Sequence, residues 1–185
     1  MAYEIEDDIM PLFLINGFLE AGKTQFLDFT IQQDYFKTEG KTLLIVCEEG
    51  DTEYDEKKLK KNKTAAVFVD DMKKLTPQYL NELEVIYQPE RVLMEWNGMW
   101  NQDDLKLPDD WTIYQQITII DGSTFELYVQ NMKPLLGAML RGSELVIVNR
   151  CDGIPDDKLT AYRRTIRAMS RESEIVLEDK EGEIE

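Results

Sequence analysis

The chain has 185 residues, 43% hydrophobic and 31% charged, enough for one packed domain and unlike disordered, collagen-like or membrane compositions. Its 37 acidic against 21 basic residues give a net charge of -16, a field that repels DNA, RNA and anionic lipid. There is no histidine, and Cys47 and Cys151 form no CxxC pair, which excludes an ordinary structural zinc site. No apolar run is long enough for membrane insertion, and the acidic start MAYEIEDDIM is unlike a secretory signal, so a cytoplasmic protein is expected.

Apolar runs of strand length alternate with stretches of helical periodicity. The first strand is expected at Pro11–Asn16, followed by a helix over about Lys23–Phe36 and a strand at Thr42–Glu48. The charged stretch Asp51–Lys63 has almost nothing to bury and reads as mobile. A strand at Thr64–Asp70, a helix over Pro77–Tyr87 capped by Thr76, and a strand at Arg91–Trp96 come next. The remainder predicts a strand at Gln116–Asp121, a helix over Thr124–Leu140 capped by Ser123, and a strand at Leu145–Asn149. A helix over Pro155–Met169 and a strand at Glu174–Leu177 complete the order. No repeat or glycine-serine linker divides the chain, so residues 1–177 are expected to form one domain. Residues 178–185, EDKEGEIE, read as an acidic tail or the start of a linker to a further C-terminal region, as if the chain were cut from a longer protein.

Residues 17–24, GFLEAGKT, fit G-x-x-x-x-G-K-[ST], a loop that wraps the phosphates of a nucleoside triphosphate. Gly17 and Gly22 permit backbone angles and a close approach that side chains would block. The amides of Phe18, Leu19, Glu20, Ala21, Gly22, Lys23, Thr24 and Gln25 can then face phosphate oxygens. Lys23 would bridge the β- and γ-phosphates, and the Thr24 hydroxyl would coordinate Mg2+. By residue usage the pattern arises by chance in about 1% of chains this long. Its setting, after the buried run PLFLIN and before the amphipathic KTQFLDFTIQQDYF, is the one the chemistry requires. The implied fold class is α/β, a three-layer phosphate-loop NTPase domain with a mostly parallel central sheet flanked by helices.

Three further strand ends carry candidates. In LVIVNRCD, Asn149, Arg150 and Asp152 form an N-K-x-D-like guanine reader with arginine in place of lysine. The Asp152 carboxylate can accept from guanine N1–H and N2–H2, donors that adenine lacks, which favours GTP over ATP. In RVLMEWNG, Glu95 is placed for Mg2+ or its water and Gly98 for an amide contact to the γ-phosphate. Glu48, in CEEG, is a second carboxylate for the magnesium side.

These motifs, in this order, resemble the GTP-binding domain of the CobW/HypB/UreG family, most closely its CobW branch. The resemblance spans nearly the whole chain, through PLFLINGFLEAGKTQFL, LLIVCEEGDTEYD, RVLMEWNG, ITIIDGSTF, LVIVNRCD and EIVLEDKEGEI. It implies a Mg2+-dependent GTPase, holding GTP or GDP, that helps allocate zinc, cobalt or nickel. It also implies a client metalloprotein or metal transporter as partner, and a possible nucleotide-dependent homodimer. By position it assigns Glu48 and Asp55 to the first switch, Glu95 and Gly98 to the second, and Asn149 and Asp152 to the base reader. Asp121 matches a family position to which chemistry assigns no role. Three departures stand out: NKTAAVFVDDMKKL lacks the CxCC metal motif, Glu20 replaces a loop glycine, and the family's C-terminal domain has no counterpart.

Three functions fit these residues. The first is a GTPase in which Lys23, Glu95 and Gly98 act on the γ-phosphate, slow until a partner completes the site. The second is a nucleotide-dependent binding module without turnover, using Trp96, Met99, Trp100 and Trp111 as either core or partner surface. The third is an ATP-dependent kinase whose Lys57, Lys58, Lys60, Lys61 and Lys63 dock an acidic acceptor, although a solvated face is the better explanation of these lysines.

Overall fold

The computed structural model describes residues 8–47 and 54–184. Strand β1 (Met10–Asn16) runs into helix α1 (Lys23–Ile31), which ends earlier than its periodicity suggested and gives way to a 3-10 turn at Asp34–Phe36. Then come β2 (Thr42–Val46), α2 (Glu56–Lys61), β3 (Thr64–Phe68), α3 (Pro77–Tyr87) and β4 (Arg91–Glu95). The second half holds β5 (Trp111–Asp121), α4 (Phe125–Asn131), α5 (Lys133–Arg141), β6 (Leu145–Asn149), α6 (Asp156–Met169), β7 (Glu174–Asp179) and β8 (Gly182–Glu183).

The sheet order is β3-β2-β4-β1-β5-β6-β7-β8, and every pairing is parallel except the β7–β8 hairpin. Because side chains alternate along a strand, each central strand feeds two cores. On one face Leu44, Leu93, Ile119 and Ile147 pack with Leu27 and Ile31 of α1 and Leu59 of α2. On the other, Val92 and Met94 meet Leu80 and Leu83 of α3, while Val146 and Val148 meet residues of α4, α5 and α6. The result is the expected three-layer phosphate-loop NTPase fold. Leu93 is fully buried; cutting such a side chain back to alanine costs about 2–5 kcal/mol.

Four local expectations need correction. The helix expected over Thr124–Leu140 is two helices, because Pro134 lacks an N–H and its ring clashes with the preceding turn; the break falls at Met132, φ -133°. Thr76 does cap α3, accepting from Tyr79 N at 3.1 Å, but Ser123 caps nothing and instead bonds Asp121. Within the stretch expected to be mobile, residues 56–61 form α2 with Asp55 as its cap, and Tyr54 and Leu59 are buried. The acidic stretch after Leu177 continues β7 and turns back, pairing Glu178 with Glu183.

Of the aromatic cluster, Trp96 and Trp111 are core residues at 0% and 4% exposure, Trp100 is half-buried, and Met99 is exposed. The Trp96 and Trp100 rings meet edge to face with centroids 5.6 Å apart.

Candidate functional site

The carboxyl ends of β1, β4, β5 and β6 lie side by side, where the chain leaves β1 for one flank of the sheet and β5 leads to the other. Open parallel sheets hold their ligands at such a crevice. Gly17 N donates to Asn16 Oδ1 at 2.8 Å, starting the loop as a tight turn. Gly17 has φ 150°, and a Cβ there would lie 2.5 Å from Ile119 O; Gly22 has φ 106°, and a Cβ there would lie 2.7 Å from Asn149 Nδ2. Both positions require glycine for left-handed backbone and close packing together.

Lys23 is 1% exposed, and its ammonium donates to Gly17 O at 2.5 Å and Phe18 O at 3.2 Å. The loop is thereby curled onto its own lysine. No side chain caps the first turn of α1, whose cap residue is Gly22, and no acidic residue lies in that turn. The positive end of the helix dipole therefore faces the loop without an acidic side chain of its own first turn to offset it.

Beneath the loop, Thr24 Oγ1 donates to Glu95 Oε1 at 2.7 Å, and the Tyr54 hydroxyl donates to Glu95 Oε2. Glu95 is fully buried at the end of β4, and both of its oxygens are engaged. Burial, then the charge and hydrogen bond of Glu95, raise the Tyr54 phenol far above its ordinary range, so it stays a donor. Gly98 presses on the loop from below, since a Cβ there would sit 2.3 Å from Gly17 O and 2.8 Å from Gly17 C. Glu48 lies outside the described residues. Asp55 spends Oδ1 on the amides of Lys57 and Lys58, at 2.9 and 3.3 Å.

The turn after β6, expected to face the base, is tied to the loop from above. Asn149 Nδ2 donates to Ala21 O at 2.8 Å, while its Oδ1 is buried without a partner. Arg150 Nη1 donates to Glu20 O at 2.8 Å and to Asp121 Oδ2 at 2.6 Å. Asp152 is exposed and accepts from Lys180 N at 3.2 Å, so the β7–β8 hairpin braces its turn. Glu20 is exposed with φ 60°, and Leu19 beside it is 54% exposed. Phe18 turns inward and stacks on Tyr128, centroids 4.1 Å apart.

The structure thus gathers Gly17, Phe18, Glu20, Ala21, Gly22, Lys23, Thr24, Glu95, Gly98, Asn149 and Arg150 into one connected cluster. Sequence reasoning missed Tyr54, Asn16 and Ser123. Tyr54 had a signal, the lone aromatic in a strongly charged stretch, but its contact with Glu95 spans 41 residues of chain. Among the described residues no group of three or more His, Cys, Asp or Glu is placed to hold a metal ion, and no helix is long and apolar enough to cross a membrane.

The family model for the nucleotide-binding domain of CobW/HypB/UreG matches residues 11–177. No curated protein matches the chain. Among solved structures, it is similar to hydrogenase maturation factor HypB from Archaeoglobus fulgidus, with a TM-score of 0.62 at 14% identity over 93% of this chain and 82% of that one. The Zn(II)-bound YjiA GTPase from E. coli gives a TM-score of 0.64 at 15% identity, over 96% of this chain and 59% of that one. HypB from Helicobacter pylori in complex with nickel gives 0.58 at 12% identity, over 94% and 80%. At such identities the likeness concerns the fold, and this chain spans less than two thirds of YjiA. The match over residues 11–177 makes this chain a member of the CobW/HypB/UreG family, with its nucleotide-binding domain in that span.

Proposed function

We propose that the chain binds GTP with Mg2+ at the Gly17–Gln25 loop and hydrolyses it, acting as a switch or chaperone in zinc, cobalt or nickel homeostasis or cofactor assembly. The observation that carries this is the buried Lys23–Thr24–Glu95 cluster under a loop whose two glycines have no room for side chains. Hard oxygen donors suit Mg2+, and the donor set fits: Thr24 would hold the ion through its hydroxyl oxygen, whose proton is already directed to Glu95. Glu95 then acts as the group that orients Thr24, with Glu48 as a further carboxylate. Bound Mg2+ would supply charge neutralisation on the β- and γ-phosphate oxygens.

The remaining chemistry belongs to the chain. Lys23 exchanges the carbonyls of Gly17 and Phe18 for phosphate oxygens, a stronger, charge-assisted pairing. The α1 amides and the Gly98 amide take developing negative charge as water attacks the γ-phosphorus and the bond to the β-phosphate oxygen breaks, leaving GDP and phosphate. Asn149 and Arg150 hold the base-side turn against the loop, and Asp152 reads guanine through its donors. Among the similar structures, YjiA is bound to zinc and a HypB to nickel, which supports the metal-related role; a client metalloprotein or transporter and a nucleotide-dependent homodimer go with it.

A second reading, a nucleotide-dependent binding module without turnover, is favoured by one feature: both Glu95 oxygens are occupied, so neither is directed at a water. GTP titrated against a non-hydrolysable analogue, with phosphate release followed in parallel, separates the two. The GTPase reading expects phosphate release from wild type that falls at least about a hundred-fold in Lys23→Ala. Equal responses to both nucleotides with no release would establish the module.

A further inference from the structure

We propose that Asp121 is a positioning residue for base selection, locking Arg150 across the phosphate loop so that the Asn149–Asp152 turn is set before guanine arrives. The proposal rests on the guanine reading above.

Arg150 has φ 53°, in the left-handed region that a residue with a long side chain keeps only when its surroundings hold it there. What holds it is visible. One guanidinium nitrogen donates both to Glu20 O at 2.8 Å and to Asp121 Oδ2 at 2.6 Å, so a single side chain joins the phosphate loop to the ends of β5 and β6. Glu20, on the far side of that bridge, is itself left-handed at φ 60°. Two strained residues therefore face each other through one arginine.

Asp121 is built to stay where it is. Its Oδ1 accepts from Ser123 N at 2.9 Å and Ser123 Oγ at 2.6 Å, leaving Oδ2 directed at Arg150. Its side chain is 14% exposed, against 45% for that of Arg150. Asp121 is in register with Asn149 across β5 and β6, and Gly122 N donates to Asn149 O at 2.8 Å. A Cβ on Gly122 would lie 2.8 Å from that same oxygen, so the chain after Asp121 lies tight against the base-side turn. Burial raises the Asp121 carboxyl, but the Ser123 and Arg150 hydrogen bonds outweigh it and hold the group below its ordinary value, ionised at neutral pH.

Preorganisation of this kind improves binding by removing the cost of ordering the turn when the base docks. On the guanine reading the turn faces the base, so the effect should fall on nucleotide choice. Asp121→Asn is the discriminating variant, since its Oδ1 still serves Ser123 while the charge facing Arg150 is lost. GTP and ATP affinities would be measured by calorimetry for wild type, Asp121→Asn, Arg150→Ala and the double variant, with thermal melts alongside.

The expected result is a fall of about five-fold in the GTP-to-ATP affinity ratio for each single variant, typical of a partly exposed ion pair, with no further fall in the double variant. A small melting shift with the ratio unchanged in Asp121→Asn would overturn the proposal, as would additive losses in the double variant. Arg150→Ala leaves the Asp121–Ser123 turn in place and decides the matter by the same ratio if Asp121→Asn does not fold. Wild type without any GTP preference would defeat the guanine reading and this proposal together, whereas an unchanged variant ratio beside a clear wild-type preference would defeat this proposal alone.

Discussion

Lys23, Thr24 and Glu95, on the phosphate side, are 1%, 8% and 0% exposed, whereas Arg150 and Asp152 on the base side lie at the surface. The phosphate side is held by hydrogen bonds inside the core, the base side by an exposed arginine and the hairpin behind it. In a dry site a misplaced or missing polar partner costs far more than at the surface. Changes on the phosphate side should therefore cost function and stability together, while changes on the base side should alter selectivity and leave the fold standing.

The largest break in that contrast would come from Glu95→Ala. It strands the buried hydroxyls of Thr24 and Tyr54, each at a cost of about 1–3 kcal/mol, so chemical denaturation should show a loss of about 2–6 kcal/mol and GTP hydrolysis should disappear. Gly98→Ala comes next, because the new Cβ meets loop backbone that cannot move away cheaply. About 1–3 kcal/mol of stability should be lost, with weaker binding of both GTP and ATP.

Tyr54→Phe keeps the packed ring but takes the donor away from the buried Glu95 Oε2, which should lower stability by about 1–3 kcal/mol in urea titrations. The smallest effects belong to the base side. Glu20→Gly relieves a left-handed residue without touching the Glu20 carbonyl that Arg150 uses, and should raise stability by about 1 kcal/mol or less.

The pH dependence has a definite sign. Asp121 has a depressed folded-state pKa, so its contribution is complete above the unfolded carboxyl value near 3.9 and fades as pH falls through the lower folded value. The GTP-to-ATP ratio should be flat from neutrality down to about pH 5 and decline only in stronger acid. A ratio that already dropped between pH 7 and 6 would point to a different group.

How legible each side was in the sequence follows the same division. The phosphate loop could be read because its requirements are local: two glycines, a lysine and a hydroxyl at fixed spacing between a strand and a helix. Glu95 was legible as a polar residue ending an apolar run, but its partners were not, because Thr24 and Tyr54 reach it across 71 and 41 residues of chain. Asp121 and Arg150 stood in recognisable motifs, yet their pairing depends on β5 and β6 being neighbours, which periodicity does not reveal. The opening of β5 at Trp111 was missed for another reason. Residues Thr112 and Ile113 are exposed, Ile113 at 37%, and the register shifts between Leu12 and Phe13 of β1, so no simple alternation marks the strand.

On the proposed reading Thr24, oriented by Glu95, couples magnesium to guanine nucleotide on this loop. Calorimetric titration of GTP with and without Mg2+, in wild type and in Thr24→Val, tests it most directly. Mg2+ should tighten GTP binding to wild type, and Thr24→Val, with its methyl in place of the hydroxyl, should remove most of that gain. GTP binding indifferent to Mg2+ in wild type, or a magnesium effect undiminished in Thr24→Val, would contradict it.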